Sequence, residues 1–224
     1  MITVHHLEQS RSHRILWFLE ELELSYEIEH HKRDAGFRAP KRLRELHPLG
    51  RAPIVVDDGE VLAETGAIME HLLEKHGGGR LEPEPGSDAA RHYRYFMHYA
   101  EGSLMAPLLV RLIFDRVESA KLPFFAKPIA KKIAQKVNHT FISGEMKLHG
   151  GFLNDLLAKR TWITGDTFTA ADVMLSFPVQ ALLARGRLSG EQVKHIEAYV
   201  SRATGRPAYA RAVERGGGEP IVKT

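Results

Sequence analysis

The sequence predicts a small α/β domain followed by an all-helical domain. Three observations carry this. Strand-length runs alternate with amphipathic helices up to residue 76, a glycine- and proline-rich stretch breaks the chain over 77–87, and the longer segments beyond it have helical spacing. The expected division is therefore 1–80 for the α/β domain, 81–87 for a linker and 88–224 for the helical domain.

Residues 2–6 read as a first strand. Over 11–23, Ile15, Phe18, Leu19 and Leu22 share one helical face. Tyr26, Ile28 and His30 then alternate with charged residues, which predicts a strand over 26–31. A helix over 38–46 ends ahead of Pro48, because the residue before a proline avoids the helical region. Residues 54–56 and 60–62 pair as a hairpin about Asp58-Gly59, and 65–76 form a helix with Ile68 and Leu72 inward. Gly77-Gly78-Gly79 stops it, giving the order βαβ, helix, ββ, helix. Past the linker, 88–117 read as one long helix kinked at Pro107. Phe125, Ile129, Ile133, Val137 and Phe141 recur every four residues as an apolar stripe. Helices over 144–159, 169–184, 190–204 and 207–215 complete the chain.

Composition narrows the function classes. At 224 residues the chain can bury a sizeable core, and its 43% hydrophobic and 26% charged residues suit a globular protein. A net charge of +3 does not demand nucleic acid, and the run Lys127, Lys131, Lys132, Lys136 reads as a solvated helix face. No apolar run approaches the roughly 18 residues of a membrane span, and MITVHHLEQSRSHR lacks a secretory signature. A cytoplasmic protein without membrane insertion or nucleic-acid partner is expected. Without cysteine there are no disulfides, thiolate metal sites or protein-thiol redox chemistry. Thirteen histidines include the pairs His5-His6 and His30-His31 but no ligand set of familiar spacing, so no metal is expected.

The chemistry concentrates in HPLGRAPIVVDDGEVLAETGAI, residues 47–68. A proline opening a strand removes a ladder donor and is tolerated at edges and first positions, and an Ala52-Pro53 bond in the cis form turns neighbouring backbone groups sideways. Those groups are free to pair with a bound peptide's backbone. Eleven residues on, Glu64-Thr65 open a helix whose unpaired N–H groups favour an anion. Further along, Thr169-Ala170-Ala171-Asp172 is a capping box ahead of an apolar helix, inside the phrase GDTFTAAD.

These motifs together resemble the cytosolic glutathione transferases along nearly the whole chain. HPLGRAP is similar to the family's proline loop, AETGAI to its Glu-Ser/Thr motif and GDTFTAAD to its buried folding box. LEQSRSHRILWFLEELELSYEI, KRDAGFRAP, PFFAKPIAKKI and RPAYARAVERGGG resemble a fungal and bacterial subgroup related to a yeast glutathione transferase. The resemblance implies a thioredoxin-like first domain, an all-helical second domain, glutathione as co-substrate with no further cofactor, and a homodimer. It implies that Ala52, before cis Pro53, binds the cysteinyl backbone. Glu64 and Thr65 hold the γ-glutamyl end, and Arg51 faces the glycine carboxylate. Ser10 stands where theta- and delta-like classes carry the thiol-activating serine, with Ser12 and the Arg11 main chain as alternatives. A free thiol titrates near about 8.5, so a drop below neutrality requires roughly 2 kcal/mol of preference for the thiolate, which is the nucleophile. The absence of a tyrosine here argues against alpha-, mu- and pi-type activation, and the absence of cysteine against omega-type mixed-disulfide chemistry.

The electrophile is expected where the helical domain faces Ser10. Tyr95, Met97, Tyr99, Met105 and Leu109 are the candidates, with Arg111 to orient an anionic substrate and Glu101 to reach a glutathione amine across a dimer or to pair within its own subunit. The predicted activity is conjugation of glutathione to small hydrophobic electrophiles. Peroxidase action on organic hydroperoxides and a weakly active regulatory protein of the same fold are the alternatives.

Overall fold

The computed structural model describes residues 1–34, 36 and 38–220. Ala35 and Phe37 of the KRDAGFRAP stretch, and the last four residues assigned to the helical domain, lie outside them. The first half is a four-stranded sheet of β1 (Ile2–Leu7), β2 (Tyr26–His31), β3 (Ile54–Asp57) and β4 (Glu60–Ala63), in the order β2-β1-β3-β4. β1 and β2 are parallel, and the other pairs are antiparallel. A parallel pair needs a crossover, which α1 (His13–Glu21) supplies with every residue from His13 to Glu20 buried. The β3–β4 turn has positive φ at Asp58 (50°) and Gly59 (90°), the signature of a two-residue hairpin whose twist matches its strands.

α2 (Arg42–Leu46) starts four residues later than expected. The Asp34 carboxylate accepts the Gly36 and Arg38 N–H groups at 2.9 and 2.8 Å, so this backbone is committed to a turn, and Pro40 disfavours a helical residue before it. α3 (Thr65–Leu72) runs into a π-helical turn, Leu73–Gly77, and stops at Gly78 with φ 58°.

The second half is helical. The single helix expected over 88–117 is instead α4 (Asp88–Tyr99), a π-turn at Ala100–Leu104, and α5 (Met105–Glu118). Pro107 has no N–H and its ring crowds the carbonyl four residues back, at Ser103, so the helical register relaxes there. α6 (Lys127–Val137), a third π-turn (Asn138–Ile142) and α7 (Ser143–Leu157) follow. Most of the apolar stripe stays in solvent. Phe125, Ile129, Ile133 and Phe141 are all more than half exposed, while α6 docks through Ala134 and the π-turn through Asn138, which accepts from Arg111 at 3.2 Å.

α8 (Ala170–Arg185) is the buried axis of this half. α9 (Lys194–Thr204) and α10 (Pro207–Gly216) close it. α10 then returns to α1. Arg206 grips Glu21 at 2.6 and 2.7 Å, Arg211 and Arg215 reach Glu20 at 2.6 and 2.8 Å, and Tyr209 meets Trp17 edge-on at 5.1 Å. One apolar core therefore runs from Ile2 through Trp17 to Ala212. Among the described residues, no helix is long and apolar enough to cross a membrane.

Candidate functional site

Ser10 sits in the loop between β1 and α1, almost buried at 8% exposure. The left-handed backbone of Gln9 (φ 48°) turns the chain back so that Ser10 and Ser12 fold over the end of β1. Ser10 Oγ lies 2.7 Å from Ser12 Oγ and accepts the Ser12 N–H at 3.2 Å. Ser12 Oγ in turn accepts the Leu7 N–H at 3.1 Å and lies 2.9 Å from His6 Nδ1. Burial drives the His6 pKa down to about 4, with the neighbouring His30 adding to this and a backbone hydrogen bond at Gly216 opposing it. The imidazole at the end of this chain is thus neutral near pH 7. Arg33 clasps the same loop from outside through the Glu8 and Gln9 carbonyls, each at 3.1 Å.

The Ala52-Pro53 bond is cis. Ala52 is half-buried, Pro53 is buried at the mouth of β3, and Arg51 is exposed. At the start of α3, Glu64 is exposed with φ 71° and ψ 122°, outside the regions an L-residue favours. Such a backbone persists only where its surroundings enforce it, and these outliers gather at ligand sites. Neither Glu64 nor Thr65 closes the helix end with its own side chain. Thr65 is buried, and its hydroxyl accepts from Arg14 at 3.1 Å.

Arg14 is the hub. It is 1% exposed in the first turn of α1, donates to the Met174 carbonyl at 2.7 Å and to Glu101 Oε1 at 2.5 Å, and sets the starts of α1 and α3 one side chain apart. Glu101 also accepts from Arg11 at 2.5 Å. Burial opposes ionisation of Glu101, yet Arg14 and Arg11 hold its carboxyl below the ordinary value.

The helical-half candidates disperse. Tyr99 is buried with its hydroxyl 2.7 Å from His149 Nδ1, and Tyr95 stacks on it at 5.6 Å beside Phe152, so both turn toward α7. Arg111 is buried, and its guanidinium is engaged by Asp115 and Asn138. Met97 is buried, Met105 is partly buried against the core, and Leu109 is half exposed on α5. A cavity of about 660 Å³ opens beside the Ser10 loop, lined by His6, Gln9, His13, Gln180, Tyr209 and the 216–220 segment.

Two residues escaped the reading of the sequence: Arg14, and His6, which stands behind Ser12. Arg14 does leave a trace, being a guanidinium beside the apolar run ILWFL that α1 buries completely. A buried charge demands a partner, but the partners lie 51 and 87 positions away, where local spacing does not reach.

Two family models match the chain. The glutathione S-transferase N-terminal domain covers residues 1–74, and the glutathione S-transferase C-terminal domain covers residues 122–207. The chain is 34% identical over 222 residues to glutathione S-transferase 1 of Saccharomyces cerevisiae, spanning 96% of this chain and 95% of the relative. It is 36% identical over 215 residues to glutathione S-transferase 3 of Schizosaccharomyces pombe, spanning 96% and 88%. A solved glutathione S-transferase from Actinobacillus pleuropneumoniae superposes with a TM-score of 0.81 at 33% identity, covering 98% of this chain and 94% of that one.

Proposed function

This chain belongs to the glutathione S-transferase family and conjugates glutathione to electrophiles, and from that premise we propose which of its residues perform each part. The open start of α3 takes the γ-glutamyl end of the tripeptide. Its carboxylate meets the Thr65 N–H and the positive end of the helix dipole, and its amine meets Glu64. The main chain of Ala52, ahead of Pro53, pairs with the cysteinyl backbone, and Arg51 faces the glycine carboxylate. Ser10 then donates to sulfur. Its oxygen already accepts the Ser12 N–H, so its single proton is free to turn from Ser12 toward an incoming thiolate. The observation carrying this reading is Arg14, whose side chain in the first turn of α1, four residues past Ser10, bonds Thr65 at 3.1 Å and so ties the Ser10 end of α1 to the α3 start. Glu101 acts by holding Arg11 and Arg14.

For the electrophile, α5 is the element we assign: just ahead of its first turn, Glu101 binds Arg11 beside Ser10. Met105, Leu109 and Ile113, four residues apart, share one face of α5 and are assigned as the apolar floor for the electrophile. Tyr95, Tyr99 and Arg111 act from behind that surface. The working form is a cytoplasmic homodimer, which sedimentation tests. Residues 81–87 join a glutathione-binding half to a pocket-forming half.

The test is thiolate absorbance of bound glutathione, read beside turnover of a chlorinated nitroaromatic. Ser10→Ala should raise the pH at which bound thiol ionises and lower turnover while glutathione still binds, and an unchanged ionisation removes Ser10 from the mechanism. Turnover of cumene hydroperoxide would add peroxidase action. Retention on immobilised glutathione without turnover of either substrate would instead mark a binding protein.

A further inference from the structure

On the face of the sheet turned away from α1, β1 and β2 bring together three side chains the transferase reaction does not use. His5 pairs with Glu29 across the parallel ladder, and His31 follows Glu29 by two residues, so strand alternation places all three on one face. Tyr26, of opposite parity, points the other way and hydrogen-bonds Glu20 of α1. His5 Nδ1 lies 3.2 Å from His31 Nε2 and 3.2 Å from Glu29 Oε2, and His31 Nε2 lies 3.8 Å from Glu29 Oε1. Both imidazoles are buried, at 4% and 7% exposure, while the Glu29 side chain is 43% exposed and opens the cluster to solvent.

We propose that His5, Glu29 and His31 bind a divalent first-row cation, zinc foremost, with water completing a tetrahedron. Zinc bonds of about 2.0–2.1 Å to nitrogen and oxygen set tetrahedral edges near 3.3–3.4 Å; the His5–His31 and His5–Glu29 separations of 3.2 Å lie close to such edges, while His31 is 3.8 Å from the other Glu29 oxygen, which a turn of the half-exposed carboxylate would close. Two imidazoles and one carboxylate form a familiar three-ligand set for zinc with a fourth position left open. Without a cation, the facing nitrogens of His5 and His31 share one proton in a hydrogen bond. Binding needs only that the donor ring move its proton to its other nitrogen, with no net proton lost from the pair. Arg42 is the competing cation, with Nε 3.8 Å from Glu29 Oε1. It is 57% exposed and already paired with Glu45 at 2.7 Å, so it can withdraw without leaving a buried charge. The chain has no cysteine to divert a soft metal.

The experiment uses the full chain, stripped with a chelator and titrated with zinc sulfate in the absence of glutathione, whose thiol would compete. Calorimetry should find one tight equivalent, X-ray absorption should find two imidazole nitrogens and an oxygen at bonding distance, and the melting temperature should rise on zinc addition. Glu29→Gln, at a half-exposed position, should keep the fold and weaken binding beyond the roughly 10–100-fold that second-shell changes cost. His31→Gln should abolish it. If His31→Gln does not fold, Glu29→Gln decides alone. Absence of a stoichiometric site in the stripped protein, or affinity unchanged in Glu29→Gln, overturns the proposal. Glutathione conjugation by the stripped protein should persist, so failure here leaves the transferase reading intact.

Discussion

α8 and α3 both begin with a hydroxyl and a carboxylate at the helix start, and the two ends are built for opposite purposes. At α8 the Asp172 carboxylate accepts the Thr169 N–H at 2.9 Å and the Thr169 hydroxyl at 3.3 Å, together with the Ile163 N–H at 2.9 Å and the Tyr199 hydroxyl at 3.0 Å. Its lone pairs are spent inside the protein, and the end is closed. At α3, Glu64 is exposed with a positive φ and the Thr65 hydroxyl is held by Arg14, and no described side chain caps the first-turn N–H groups. The uncapped start of α3 is what the proposed binding of the γ-glutamyl carboxylate there requires. What separates fold from site is which partners the local backbone allows, since the residue types are alike.

The largest effect comes from breaking the closed end. Asp172→Ala leaves buried donors unpaired and should cost about 3–5 kcal/mol in chemical denaturation, with an unchanged glutathione KM in the folded fraction. Acid and base then separate the two regions. Burial raises the Asp172 pKa to about 6, so the stability this group contributes is full below about 3.8 and is lost as pH rises through about 6. His6, behind Ser10, is pushed down to about 4, so its contribution is full above about 6.5 and is lost as pH falls toward about 4. Each is worth roughly 3 kcal/mol across its window. Denaturation midpoints between pH 4 and 7 should therefore tilt one way in Asp172→Asn and the opposite way in His6→Asn, and parallel curves would refute the assignment. Next, Ser10→Ala should lower kcat about 100-fold, or roughly 2.7 kcal/mol, with little change in melting temperature. Smallest, Glu64→Ala should raise the KM for glutathione about tenfold at similar kcat, the loss of one charge-assisted hydrogen bond at the open end.

Both helix starts were legible in the sequence, because hydroxyl and acid at these offsets leave a local mark, and the proline loop and hairpin carry equally local turn chemistry. The order of elements was legible too, with the π-turn at Asn138–Ile142 as an exception, since a π-turn needs no residue that a helix forbids; at Ala100–Leu104 the sequence offered Pro107 as a kink but not the π-turn itself. Contacts across the fold left little trace. Arg111 looked available for a substrate until Asn138 arrived from the next helix pair, and Arg14 looked like one more charge beside the core. The face shared by His5, Glu29 and His31 depends on strand pairing between residues 24 positions apart, which a search for closely spaced ligands passes by. The stripe on α6 carried a true helical period without the burial that period usually signals, because spacing says which residues share a side and not what covers it.

α10 is encoded last but riveted to α1 near the beginning, through Glu20, Glu21 and Trp17. Any chimera that trades the second half for a homologue's must therefore carry this last helix across with the first half, or rebuild its three arginine contacts. The unit that can be exchanged between relatives is the wrapped pair, and a cut at the apparent linker would split it.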